Sequence, residues 1–160
     1  MELNINKVLV PIDFSDYSKD ALIYSINFIK CFKAELILIY VIEPVIYPPD
    51  FSATQITIPP TDSELTKNAD DGLAKLIKNE IPSEIKARKI IKTGKPFIEI
   101  VETVNEENID LIIISTHGRT GIEKILFGST AEKVVRKAPC PVLTLRNPLK
   151  GFNYLDEKKN

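Results

Sequence analysis

Ile109-Asp-Leu-Ile-Ile-Ile-Ser-Thr-His-Gly-Arg-Thr-Gly-Ile-Glu-Lys-Ile-Leu-Phe-Gly-Ser-Thr130 decides the fold. Leu111 to Ile114 is an unbroken apolar run of strand length, the pattern of a strand buried on both faces. A polar, glycine-bearing stretch follows, and Gly128-Ser-Thr130 opens a helix. Behind it, Ala131, Val134, Val135 and Ala138 fall at i, i+3, i+4 and i+7, the stripe of one helix face. Ser129 and Glu132 have the spacing of a capping box, which predicts a side-chain-capped start. Strand, glycine turn and helix N-terminus, in that order, suit an anion. Main-chain N–H groups and the positive end of the helix face the space above the sheet. The phosphates of a nucleotide are the implied occupant.

Working outward, Lys7-Val-Leu-Val-Pro-Ile12 reads as a strand before Asp13, with Pro11 near its end, where a missing donor is tolerable. Ser15, Asp16 and Ser18 are cap-type residues. Leu22, Ser25, Ile26 and Ile29 then predict a helix to about Lys33. Glu35 to Ile42 is a second apolar strand, and two buried strands joined by a helix make a right-handed βαβ unit. Residues 44–60 hold Pro44, Pro48, Pro49, Pro59 and Pro60, so an irregular loop is expected. Thr61 and Glu64 form a second capping box, for a helix with Leu65, Leu73, Leu76 and Ile77 that ends before Pro82. Glu84 to Lys92 is a basic, weaker strand suited to a sheet edge. Thr93-Gly-Lys-Pro96 places proline where a helix begins, and Phe97, Ile100, Val101 and Val104 continue it. Past the opening stretch, Pro139-Cys-Pro141 is a turn and Val142 to Arg146 a fifth strand. The sum is an α/β fold, an open doubly wound sheet of five parallel strands with helices on both faces. One domain, residues 1–146, precedes a polar tail, residues 147–160.

Composition narrows the function. The chain of 160 residues is 44% hydrophobic and 27% charged with a net charge of -1, as expected of an ordinary globular domain. No nucleic acid is expected as partner, because neither sign of charge dominates. No membrane is expected either: no apolar run approaches the roughly 18 residues of a span, and the N-terminus lacks a signal pattern. Cys31 and Cys140 are too few for a disulfide framework, so they read as inert core thiols in a reducing cytoplasm.

Ligands of such sheets bind beyond the strands' carboxyl ends. The polar residues there are Asp13, Glu43 and Ser115 to Arg119; a shared crevice requires the first and fourth strands to be neighbours. Asp13 reads as a ligand group or as a helix cap or turn residue. His117, the single histidine, lacks a second metal ligand and a Ser/His/Asp set, so neither a metal site nor a catalytic residue is assigned. Arg119 suits either bidentate phosphate contact or solvent. Gly118 and Gly121 also satisfy turn geometry. No Walker loop is present.

The chain resembles the universal stress proteins, a family of adenine-nucleotide-binding α/β domains, over about residues 6–146. The likeness lies in Val8-Leu-Val-Pro-Ile-Asp13, Gly94-x-Pro96, Ile109-Asp-Leu-Ile-Ile, and Gly128-Ser129 ahead of a helix closed by Ala-Pro-Cys-Pro-Val142. The family's signature, Gly-x2-Gly-x9-Gly-Ser/Thr, falls on Ser115, Gly118, Gly128 and Ser129, so serine stands at its leading glycine. A Cβ there narrows the approach of a ribose or phosphate, and weakened binding is expected. The resemblance implies strand order 3-2-1-4-5, a homodimer through Val142–Arg146, and ATP or another adenine nucleotide with Mg²⁺. It places Pro11, Ile12 and Asp13 beside the nucleoside and Val41 near the adenine. Ser115, Thr116, His117 and Gly118, with Arg119, would line the ribose and phosphates; Gly128, Ser129, Thr130 and the Ala131 N–H would hold the phosphate chain. The implied function is ATP-binding regulation in a stress response, with an unidentified client protein and at most slow ATP hydrolysis. The alternative is a nucleotide-free interaction protein of the same fold. An edge strand carrying Val142, Leu143 and Leu145 guarded by Arg146 independently favours a covering partner.

Overall fold

The structure, a computed structural model, describes residues 4–44, 60–117 and 128–146. Strands β1 (Lys7–Pro11), β2 (Glu35–Ile42), β3 (Ala87–Thr93), β4 (Leu111–Ser115) and β5 (Val142–Leu145) alternate with helices α1 (Asp16–Phe32), α2 (Asp62–Glu80), α3 (Pro96–Glu107) and α4 (Ser129–Lys137). The strands form one parallel sheet in the order β3-β2-β1-β4-β5.

The apolar runs are continuous because both faces are covered, and the two-residue period divides each run between them. Val8, Val10, Leu36, Leu38, Leu111 and Ile113 join Leu22, Ile26 and Ile29 of α1 and Leu73 and Leu76 of α2 in one core. Leu9, Ile37, Ile39, Ile112 and Ile114 join Ile100 and Val104 of α3 and Ala131 and Val134 of α4 in the other. Val135, read as part of the α4 stripe, is instead 44% exposed: the buried face of this short helix is narrow.

Three local readings are corrected by packing. Strand β3 begins at Ala87, because residues 82–85 form a turn in which the Ile85 N–H bonds the Pro82 carbonyl at 3.0 Å. Cys31 is exposed rather than a core thiol, while Cys140 is part-buried and burial raises its thiol pKa. The expected box at Ser129 does not form, as described below. The basic β3 lies at the sheet edge as its composition suggests. Arg88 pairs with Glu35 and Glu107, Lys92 with Glu106, and Lys89 with Asp70 at 2.7 Å. Its charges are thus tied back to the flanking elements as well as guarding the edge.

The amino ends of the two central strands are pinned together. One Asp110 carboxylate oxygen accepts the N–H groups of Asn6 and Lys7 at 2.8 and 2.9 Å, and Lys7 Nζ donates to the Glu107 carbonyl at 2.7 Å. These bonds hold the register Val8↔Leu111 and Leu9↔Ile112, which brings the carboxyl ends of β1 and β4 side by side. Among the described residues, no helix is long and apolar enough to cross a membrane.

Candidate functional site

Above those carboxyl ends lies a cleft of about 250 Å³. Its walls include Pro11, Ile12, Asp13, Val41, Ser115, Thr116, His117, Gly128, Ser129, Thr130 and Ala131. Every site residue expected from the sequence that falls among the described residues therefore borders one space; Gly118 and Arg119 lie outside the described residues. The sequence reading missed Ser18, Ile39, Tyr40, Pro96, Ile100 and Ile114 as lining groups. Pro96 carried a signal, since a proline-started helix after β3 must begin near the strand ends. Ser18 carried none that distinguishes it from any cap residue.

The lining is apolar at Ile39, Val41, Ile100 and Ile114 and polar at Asp13, Ser115, Thr116, Ser129 and Thr130. Asp13 is held by the first turn of α1. One carboxylate oxygen accepts the Ser15 N–H at 3.0 Å and the Ser15 hydroxyl, and the Asp13 N–H donates to Ser18 Oγ at 3.3 Å. The helix cap is Ser15, whose hydroxyl accepts the Ser18 N–H, so Asp13 makes an Asx-type turn just ahead of it. That role leaves it on the cleft wall.

The far wall is built around Thr116. Its N–H donates to the Leu145 carbonyl of β5 at 2.8 Å, and its own carbonyl accepts the Gly128 N–H at 2.6 Å. One residue thereby joins the end of β4, the edge strand and the start of α4. Its hydroxyl lies 3.0 Å from His117 Nδ1, and the imidazole packs against the Tyr17 ring, centroids 5.4 Å apart. His117 thus packs against the first turn of α1. Ser115 is buried, and its Oγ accepts the His117 N–H at 3.3 Å while the cleft stays open beside it.

Helix α4 begins one residue earlier than a box at Ser129 requires. Gly128 is the N-cap, with φ -65° and ψ 149°, and supplies no side-chain cap bond. Ser129 becomes the first helical residue, and Glu132 bonds to Gly128 O through its N–H and to Arg136 through its carboxylate at 3.1 Å. The first-turn N–H groups of residues 129–131 lie ahead of the first intrahelical bond and at the cleft wall, the arrangement that suits an anion. Among the described residues no trio of His, Cys, Asp or Glu is placed to hold a metal ion.

Residues 4–146 match the model of the universal stress protein family. The chain belongs to the universal stress protein family. It is 37% identical over 147 residues to universal stress protein MJ0531 of Methanocaldococcus jannaschii, covering 90% of this chain and 84% of that one. MJ0577 from the same organism is 31% identical, and its solved structure superposes with a TM-score of 0.68 over 89% of this chain and 96% of that one. Two further solved universal stress proteins share the fold alone. One is a complex with cAMP (TM-score 0.59, 23% identity, 88% of this chain and 97% of that one). The other, from Archaeoglobus fulgidus, is a complex with dAMP (0.60, 16%, 89% and 98%).

Proposed function

We propose that this universal stress protein is an adenine-nucleotide-binding regulatory protein of the cytoplasm, acting in stress response as a homodimer with Mg·ATP as its ligand. The observation that carries the reading is the start of α4. Among the described residues no side-chain cap bond closes it, and it borders a cleft lined by apolar side chains and the Asp13 carboxylate. The residues suit the parts of such a ligand. Val41 and its apolar neighbours would take the adenine face, and Asp13 would accept hydrogen bonds from the nucleoside. The main-chain amides of residues 129–131 would take phosphate oxygens, with Ser129 and Thr130 beside them. Asp13 and Glu43 make the described wall anionic rather than cationic. A polyphosphate therefore needs a counter-ion, which Mg²⁺ bridging its oxygens and keeping several waters supplies. That two relatives of the same fold hold cAMP and dAMP is consistent with this use of the architecture.

Isothermal titration with Mg·ATP tests it. Saturable heat at micromolar to millimolar ligand is expected, and none up to millimolar would refute the reading. The outcome would then favour a nucleotide-free interaction protein, for which serine at the leading glycine of the signature is the specific argument. Dimerisation is the second arm: β5 ends the sheet with Val142 and Leu143 part-exposed, and an antiparallel copy would cover that edge. Light scattering at micromolar protein should give twice the chain mass; the single-chain mass would remove the dimer.

A further inference from the structure

Phe14, directly after Asp13, has φ +63°. That left-handed backbone is a genuine outlier for a bulky side chain. Strain of this kind persists where the surroundings over-determine it, and it gathers at binding sites. Here the surroundings are explicit. The Phe14 ring packs on Tyr40 with centroids 4.9 Å apart and joins the α1/α2 core. Its tip sits over Gly72 of α2, where a Cβ would come within 2.7 Å of Phe14 Cζ and 2.9 Å of Cε1. Glycine is a poor residue for a helix interior, and the socket it leaves for the ring accounts for it here.

On its other side the same turn carries the cleft wall. Asp13 is fastened by Ser15 and Ser18, and Ser18 is buried. The turn of residues 13–15 is therefore clamped twice, by a ring seated in α2 and by hydrogen bonds at the start of α1. We propose that Phe14 and Gly72 are positioning residues for Asp13. The ring in its socket holds the left-handed turn that presents the carboxylate to the ligand, so the seat of α2 and the affinity of the cleft are coupled. This rests on the cleft being the nucleotide site.

The test is a double-mutant cycle in the full chain, with Gly72→Ala, Phe14→Leu and the pair. Two readouts are used: Mg·ATP affinity by calorimetry, and the Ser15 amide resonance with the HN–Hα coupling of residue 14 in the ligand-free protein. Gly72→Ala by itself favours helix, so a loss of affinity would come from the displaced ring. The expected loss is that of one hydrogen bond to a charged group, about tenfold, with a moved Ser15 resonance. On the Phe14→Leu background, where the ring tip is gone, Gly72→Ala should add little; such non-additivity marks contact. Unchanged affinity and resonance in Gly72→Ala, or two effects that simply add, would overturn the proposal. If the unaltered protein takes up no nucleotide, the ligand reading falls on its own. The ligand-free resonance still decides the positioning: a shift in Gly72→Ala that disappears on the Phe14→Leu background supports it, and no shift overturns it. If Gly72→Ala does not fold, Phe14→Leu alone decides by the same two readouts.

Discussion

Helices α2 and α4 carry the same four-residue start, a hydroxyl residue with glutamate three positions on, and begin in opposite ways. At α2 the motif closes: Thr61 Oγ1 accepts the Glu64 N–H at 3.3 Å, and Glu64 Oε2 accepts the Thr61 N–H at 2.8 Å. At α4 it does not, because the Gly128 N–H is taken by the Thr116 carbonyl and the helix is nucleated one residue early. Ser129 is then inside the helix and Glu132 one position too deep to reach back. The difference is one of surroundings. Residues 61–64 are largely exposed, and their donors are satisfied locally. The α4 start borders the cleft, and its N-cap, Gly128, supplies no side-chain bond to the first turn. Glycine in place of a capping side chain costs only about a few tenths of a kcal/mol, which a bound phosphate would more than offset.

The sharpest way to break this comparison is to give α4 the cap it lacks. Gly128→Asp meets no φ barrier, since the backbone there is extended at -65°, although a Cβ would sit 3.2 Å from Thr116 O. A carboxylate on the helix amides would compete with phosphate and repel it. Like-charge juxtaposition of that kind is worth several kcal/mol, so affinity for Mg·ATP should fall more than about a hundredfold by calorimetry. Gly128→Ala imposes the same crowding without the charge and should lose far less. Equal losses in the two variants would mean that space, not donors, decides binding at α4.

Next comes Thr61→Ala, which should lower stability by about 1 kcal/mol in denaturant titration and leave nucleotide affinity unchanged. A change in affinity would tie α2's cap to the cleft and blur the contrast between the two starts. The pH dependence of the same cap follows from Glu64, whose carboxyl is held below its ordinary 4.5 chiefly by the Thr61 N–H, then by its hydroxyl. A depressed folded pKa means that the contribution is present above the unfolded value and fades as pH falls through the folded one. The stability gap between the unaltered protein and Glu64→Ala should therefore be widest near neutral pH and narrow below about pH 4. A gap that grows in acid would show that the carboxylate is not the acceptor.

The contrast between α2 and α4 also shows how far the chain can be read without coordinates. Strand content is legible because Glu35–Ile42 and Leu111–Ile114 are too apolar for any surface, and the basic β3 announces its edge position. Order requires more: nothing in β1 or β4 alone says that they are neighbours, and the bonds of Asp110 to Asn6 and Lys7 span more than a hundred residues. Caps follow local spacing until a long-range bond outbids them, which is why spacing predicts the cap at Thr61 and mispredicts one at Ser129. The cleft residues can be found wherever they end a strand or open a helix. Tyr40 and the Phe14–Gly72 contact escape such a reading, because no local pattern records a ring from one turn resting on a glycine of another helix.

The smallest expected effect concerns Ser115, where the family signature would have glycine. Its side chain is turned toward the His117 N–H, a weak bond at 3.3 Å, and the cleft remains open beside it. Ser115→Gly would remove a Cβ from the wall and release one more main-chain donor at the β4 exit. Both changes favour a polyphosphate, but neither equals a full hydrogen bond, so affinity should rise about threefold. The same substitution loosens the strand end and should cost about 0.5–1 kcal/mol of stability. Calorimetry and denaturant titration on one preparation separate the two. Tighter binding with lower stability would mean that serine at this position trades affinity for a firmer turn. Weaker binding would mean that the Ser115 hydroxyl itself meets the ligand, and the donors at α4 would then share their work with the strand that faces them.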